Sequence, residues 1–186
     1  GAAALLHSGG VTALGDCGSL GSAAGPGDAV ANAMEHYGWD RLDFVALTHY
    51  HQDHAGGLEA LFARVEAGRL ILPQLGESEQ SALQEAVLAL AERYGTAVEF
   101  AGEPLTEGLG RAVLRVYPPL AGGDVNEEGL TFLCTAGEFD MLITGDMASS
   151  TERLLIETYD LPDIEVLAVG HHGSKNSTSL ELLEAV

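Results

Sequence analysis

Basic charge is what this sequence has least of. Its 186 residues include 8 Lys and Arg against 28 Asp and Glu, a formal net charge of −20 and a pI near 4.4. Lys175 is the sole lysine. A generic nucleic-acid binder carries a basic patch and a high pI, so this composition disfavours non-specific electrostatic binding of DNA by the bare chain. A polycation or a metal ion suits it better. Cysteine is scarce too. Cys17 and Cys134 are too few for a disulfide framework and lack a zinc-ribbon spacing, so they read as small buried hydrophobes. No signal peptide opens the chain, and no apolar run approaches the roughly 18 residues that a membrane-spanning helix needs. Repeats, low-complexity tracts and linkers are missing as well.

What is there is globular material: 46% hydrophobic residues and 24 glycines. A chain of this size buries roughly 70% of the surface its unfolded form exposes, enough for one core without staples. One domain over residues 1–186 is expected. The chain starts without Met on strand-like residues, and its last helical pattern, Ser179–Val186, stops in mid-turn. It reads as a piece of a larger protein, cut at both ends.

Short apolar runs alternate with amphipathic stretches. Strands are predicted at Ala2–Leu6, Val11–Leu14, Phe44–Leu47, Leu70–Leu72, Ala97–Phe100, Ala112–Tyr117, Leu130–Thr135, Asp140–Ile143 and Val166–Val169. Helices are predicted at Asp28–Tyr37, Leu58–Glu66, Ser78–Tyr94, Ser150–Thr158 and Ser179–Val186, with Gly102–Gly110 and Pro118–Gly129 as the longest loops. This alternation argues for a layered α/β domain, in which functional groups gather after the carboxyl ends of strands.

Five of the seven histidines fall in two clusters, each just after a predicted strand; His7 and His36 lie apart and read as surface residues. The first cluster is His49-Tyr-His51-Gln-Asp53-His54-Ala-Gly-Gly57, four potential ligands in six residues. Such density on a glycine-closed loop suits a divalent cation. The second element, Leu142-Ile-Thr-Gly145-Asp146, delivers a carboxylate at a strand end; alone it would read as a helix cap. The third, Val169-Gly-His171-His172-Gly-Ser174-Lys175-Asn-Ser177-Thr178-Ser179, puts histidines, hydroxyls and Lys175 before a helix start, a ready anion site. The fourth, Leu14-Gly-Asp16-Cys-Gly18-Ser19, offers Asp16 either as a turn residue or as an orienter of a ligand histidine.

Together these residues resemble the metallo-β-lactamase superfamily. His49-x-His51-x-Asp53-His54 is similar to its HxHxDH motif, Asp146 to its bridging aspartate, and His172-Gly173 to its final His-Gly pair. The resemblance spans Asp16 to Ser179, and within the superfamily it is greatest to the ComEC-type competence domain. It implies a four-layer αβ/βα sandwich of two mixed sheets flanked by helices. It also implies two divalent metal ions, Zn or Mn: one on His49 and His51, the other on Asp53, His54 and His172, with Asp146 bridging and Asp16 supporting from behind.

The implied activity is that of a phosphodiesterase or nuclease acting on DNA during uptake through a metal-bound hydroxide. Asp53 would hold the nucleophile, His171 would protonate the leaving oxygen, and Ser174, Lys175, Ser177 and Thr178 would grip the phosphate. The implied setting is a soluble, monomeric domain on the outer side of a cell membrane, joined to an upstream transmembrane competence region of the same polypeptide. Two departures stand out. No histidine lies between Ala55 and Gly170 to complete the first metal site. That position falls near Asp124 or Asn126, where oxygen ligation would favour Mn²⁺ over Zn²⁺. The net charge also opposes DNA. A hydrolase of small esters, thioesters or lactams, and a non-catalytic metal-binding or interaction module, are the alternatives.

Overall fold

The computed structural model describes residues 2–18, 25–75 and 82–186. Ser19 and residues 78–81 of the third predicted helix lie outside the described residues. The chain opens with a hairpin of β1 (Ala4–Ser8) and β2 (Val11–Gly15), followed by α1 (Pro26–Tyr37) and β3 (Arg41–Ala46). Next come α2 (Gln52–Ala55), α3 (Leu58–Phe62), β4 (Glu66–Pro73), α4 (Ala82–Tyr94) and β5 (Ala97–Ala101). The second half runs β6 (Leu105–Leu109), β7 (Ala112–Tyr117), β8 (Thr131–Ala136), β9 (Phe139–Ile143), α5 (Ser149–Thr158), β10 (Val166–Ala168) and α6 (Leu180–Ala185).

One sheet has the order β1-β2-β3-β4-β5 and the other β10-β9-β8-β7-β6. Both are mixed. In the first, β1 runs antiparallel to β2 while β2 to β5 are parallel; in the second, β10 is parallel to β9 and the rest are antiparallel.

Period-two alternation sorts the apolar side chains into three cores. Leu14, Val45, Leu47, Leu70 and Leu72 point to one side of the first sheet, where α1, α3 and α4 cover them with Val30, Met34, Leu58, Leu61 and Val87. Their neighbours Ala13, Phe44, Ala46 and Ile71 point the other way and meet Leu114, Val116, Phe132 and Ile143 of the second sheet. Tyr117, Leu133 and Leu142 then face outward under Leu155 of α5 and Leu182 of α6. The result is helix, sheet, sheet, helix: the expected four-layer sandwich. Each fully buried Leu, Ile or Phe contributes about 1.5–3 kcal/mol. Because the later parts of β3 and β4 are covered on both faces, they read as short continuous apolar runs.

Several boundaries differ from the sequence reading. Residues 105–109, predicted as loop, form an edge strand paired with β7. The helix predicted to Glu66 ends at Phe62, and Glu66–Pro73 is strand, drawn into parallel pairing with β3 from Arg41↔Glu66 onward. The last helix is one residue shorter at each end, Leu180–Ala185. Among the described residues, no helix is long and apolar enough to cross a membrane.

Candidate metal centre

Four strand ends deliver the site. β2 runs into Asp16, β3 into Thr48 and His49, β9 into Asp146, and β10 into His171 and His172. All are carboxyl ends, the place where layered α/β sheets collect their chemistry.

Asp53, His54, Asp146 and His172 each present one ligand atom, and these four atoms lie within 4.8 Å of one another. His172 Nε2 is 3.0 Å from Asp53 Oδ2 and 3.6 Å from Asp146 Oδ2. His54 Nε2 is 3.2 Å from Asp146 Oδ1 and 3.3 Å from His172 Nε2. Two nitrogens each bound at about 2.05 Å to a tetrahedral ion stand about 3.3 Å apart, so this spacing fits a shared cation.

The ring of His54 is held by Asp16. Its Nδ1–H donates to Asp16 Oδ2 at 2.8 Å, which turns Nε2 toward Asp146 and His172. Asp16 also accepts from Thr48 N–H at 2.7 Å and from Thr48 Oγ1–H at 2.8 Å, and is itself 1% exposed in left-handed backbone, φ 57. A carboxylate behind a ligand histidine fixes tautomer and orientation.

Burial raises Asp16 above the usual carboxylate range, against the pull of His54 and the Thr48 bonds. For His54 itself, burial pulls the value down. The hydrogen bonds and charges of Asp146 and Asp16 outweigh that and push it up to about 9. Burial likewise opposes ionisation of Asp146, but His54, His49 and His172 bring it down to about 2. Asp53 is also lowered: burial opposes its charge, and a backbone hydrogen bond, His54 and His172 prevail.

His49 stands at the edge of this group, Nε2 3.9 Å from Asp146 Oδ2 and its ring centroid 4.1 Å from that of His54. Burial first, then the charge of His54, lower it to about 3, so it is a neutral imidazole. Its Nε2 is buried with no hydrogen-bond partner, which a cation would satisfy. Asn126 shows the same signature. Its side-chain Oδ1 is buried and unpartnered, and the segment that carries it packs on the first cluster through Leu130 N–H to Thr48 O, 2.8 Å. His51 is outside the four-residue group: it is exposed, with its ring 4.8 Å from that of His49. N and O donors, two of them orphaned, fit divalent metal ions. His171 reaches the same carboxylate, with Nε2 3.7 Å from Asp146 Oδ2, but stands outside the four-residue group.

The predicted phosphate-gripping residues divide. Lys175 is exposed, and Ser174 Oγ accepts a bond from Asn176 N–H at 3.3 Å. The hydroxyl proton of Ser177 is committed to Met147 O, 2.8 Å, and Thr178 Oγ1 accepts from Gly170 N–H, 2.9 Å, so both knit the loop together. Backbone amides before α6 are occupied as well. Thr178 and Ser179 N–H donate to the carboxylate of Glu152, which the sequence reading missed. Its one sequence signal, Ser149-x-x-Glu152, has the form of a local capping box, whereas the side chain reaches 26 residues along the chain.

The chain belongs to the metallo-beta-lactamase superfamily, whose sequence profile matches residues 2–186. It is 31% identical over 149 residues to ComE operon protein 3 of Bacillus subtilis, covering 79% of this chain and 19% of that protein. It is 30% identical over 145 residues to Recombination protein 2 of Haemophilus influenzae, covering 78% and 16%. It therefore spans under a fifth of the length of either relative. Among solved structures, a HARLDQ-motif mutant of a metallo-beta-lactamase from Cronobacter sakazakii superposes with a TM-score of 0.61 at 17% identity, over 98% of this chain and 76% of that one. CmlA beta-hydroxylase superposes with a TM-score of 0.56 at 22% identity, over 89% and 32%. One fold thus carries proteins named for different reactions, and the chemistry has to be argued from the site.

Proposed function

We propose that this chain is a metal-dependent phosphodiesterase that cleaves DNA during its uptake, as one domain of a larger, membrane-anchored competence-type protein. The carrying observation is the convergence of Asp53, His54, Asp146 and His172 at one mouth of the sheets, with the orphaned donors His49 Nε2 and Asn126 Oδ1 beside them. Similarity to ComE operon protein 3 and Recombination protein 2 supports DNA as the substrate class.

Asp53, His54, Asp146 and His172 would hold one divalent ion, and His49, His51 and Asn126 a second, with Asp146 facing both. When bound, such ions supply Lewis-acid charge at a phosphoryl oxygen and acidify water. The chain's own groups do the rest. Asp16 keeps His54 Nε2 turned to the site. Lys175 and Ser174 bind a non-bridging oxygen of the phosphodiester. His171 gives a proton from Nε2 to the leaving oxygen. Asp53 orients the attacking water by hydrogen bond. Two divalent ions offset about four of the chain's negative charges, and screening acts over a Debye length of about 8 Å. The remaining positive charge that DNA requires comes from the rest of the polypeptide, on the outer side of the membrane.

The test is cleavage of single-stranded DNA with Mn²⁺, Zn²⁺ or Mg²⁺, beside bis-p-nitrophenyl phosphate and nitrocefin. Both phosphodiesters should be cut, and Asp146→Ala and His54→Ala should abolish the metal-stimulated rate. Turnover of nitrocefin alone would assign a lactam hydrolase instead. Full activity in either variant would sink the scheme.

A further inference from the structure

Glu152 sits in the first turn of α5, fully buried at 0% exposure. Its carboxylate oxygens accept the backbone N–H groups of Thr178 at 2.5 Å and Ser179 at 2.8 Å. Burying a carboxylate is costly, and these two amides offset that cost. They lie at the far end of residues 170–179, the loop that carries His171 and His172.

That loop is strained. His171, His172 and Thr178 all adopt left-handed backbone, with φ of 47, 53 and 55. Non-glycine residues persist there only when their surroundings over-determine them. Several neutral bonds help: His171 N–H to Gly145 O at 3.0 Å, and Ser149 N–H to Asn176 O at 2.9 Å. Gly170 N–H and Ser177 Oγ add the two already described. Glu152 contributes the charged acceptor, and charge-assisted bonds are roughly twice as strong as neutral ones. At the loop's other end, His172 Nε2 lies 3.0 Å from Asp53 Oδ2.

We propose that Glu152 is a positioning residue for the metal centre, holding the 170–179 loop in the strained form that aims His172 at Asp53 and Asp146. This rests on the reading of His172 as a metal-holding residue.

The test is Co²⁺ affinity, read from the visible absorption of the bound ion and compared with thermal melting, in Glu152→Gln, Glu152→Asp and Leu155→Ala. Glu152→Gln keeps the shape but sets an amide NH₂ against one of the two N–H donors. It should weaken Co²⁺ at least tenfold. Leu155, fully buried on the same helix, provides the control. Leu155→Ala should lower the melting temperature as much or more while leaving affinity within twofold. Glu152→Asp keeps the charge but cannot reach both amides, and a smaller loss in the same direction is expected should the glutamine variant fail to fold. Affinity within twofold of the parent in the Glu152 variants would overturn the proposal. So would an equal loss in Leu155→Ala. A parent that binds Co²⁺ but cleaves no phosphodiester would fault the proposed activity and leave this inference standing.

Discussion

At the scale of single residues, two buried aspartates carry the same group to opposite ends. Asp146 stays ionised at about 2 because three histidines face it, whereas burial raises Asp16, whose oxygens are spent on Thr48 and His54. Asp146 is placed to meet a cation and Asp16 to aim a ligand. Replacing Asp16 with Asn removes an acceptor that His54 Nδ1–H needs. Metal affinity should fall about 10–100-fold, as when other partners behind ligands are lost. Titration with Mn²⁺ or Co²⁺ checks this, and an unchanged affinity would show that Asp16 is not what holds His54 for a cation. The clusters around His49 and His172 were legible in the sequence because ligand types crowd there. The left-handed backbone of His171 and His172, which brings both rings to Asp146, was not, since no spacing reveals it.

Among the elements, the loop after β3 depends on a close approach. A Cβ at Gly18 would sit 2.0 Å from the Asp53 carbonyl carbon and 2.2 Å from His54 N, both backbone atoms that cannot step aside. Gly18→Ala should therefore cost about 2–3 kcal/mol or more, in the range of severe overpacking. It should also weaken metal binding, with urea denaturation and metal titration moving together. A stable variant with normal affinity would contradict the reading of that contact. The alternation of strands and helices was readable from apolar runs. β6 was hidden because Pro104, Gly108 and Gly110 punctuate it like a loop, and the early part of β4 because Glu66-Ala-Gly-Arg69 gains its strand form from pairing with β3. Glu152 escaped notice because its partners are distant backbone amides.

For the molecule as a whole, the site is where stability, pH and metal meet. His54 has a folded value of about 9, above its ordinary 6.5, so its proton stabilises the fold. That contribution is complete below pH 6.5 and lost as pH rises through about 9, and amounts to at most about 3 kcal/mol by linkage. Metal-stripped protein should thus show a falling urea midpoint across this window. Protein saturated with metal should not, because the cation takes the proton's place; at a hundred times its dissociation constant it adds about 2.7 kcal/mol. Parallel curves with and without metal would refute this. The net charge of −20 gives a second expectation. Added salt screens repulsion between chain and DNA, so KM for an oligonucleotide should fall as ionic strength rises from 10 to 150 mM, opposite in sign to a basic nuclease. Rates measured across that range decide it.

The two sheets are also consecutive in the chain. Residues 4–101 supply the whole of one and residues 105–168 the whole of the other, with only the turn at 102–104 between them. The ligands divide in the same way: His49, Asp53 and His54 before the turn, Asp146 and His172 after it. A cation held by both groups would tie the two halves together at one end of the apolar core they share. Severed at Gly102–Pro104, the two fragments should still meet through that core, but associate more tightly with Mn²⁺ than with EDTA, which a binding titration under the two conditions checks.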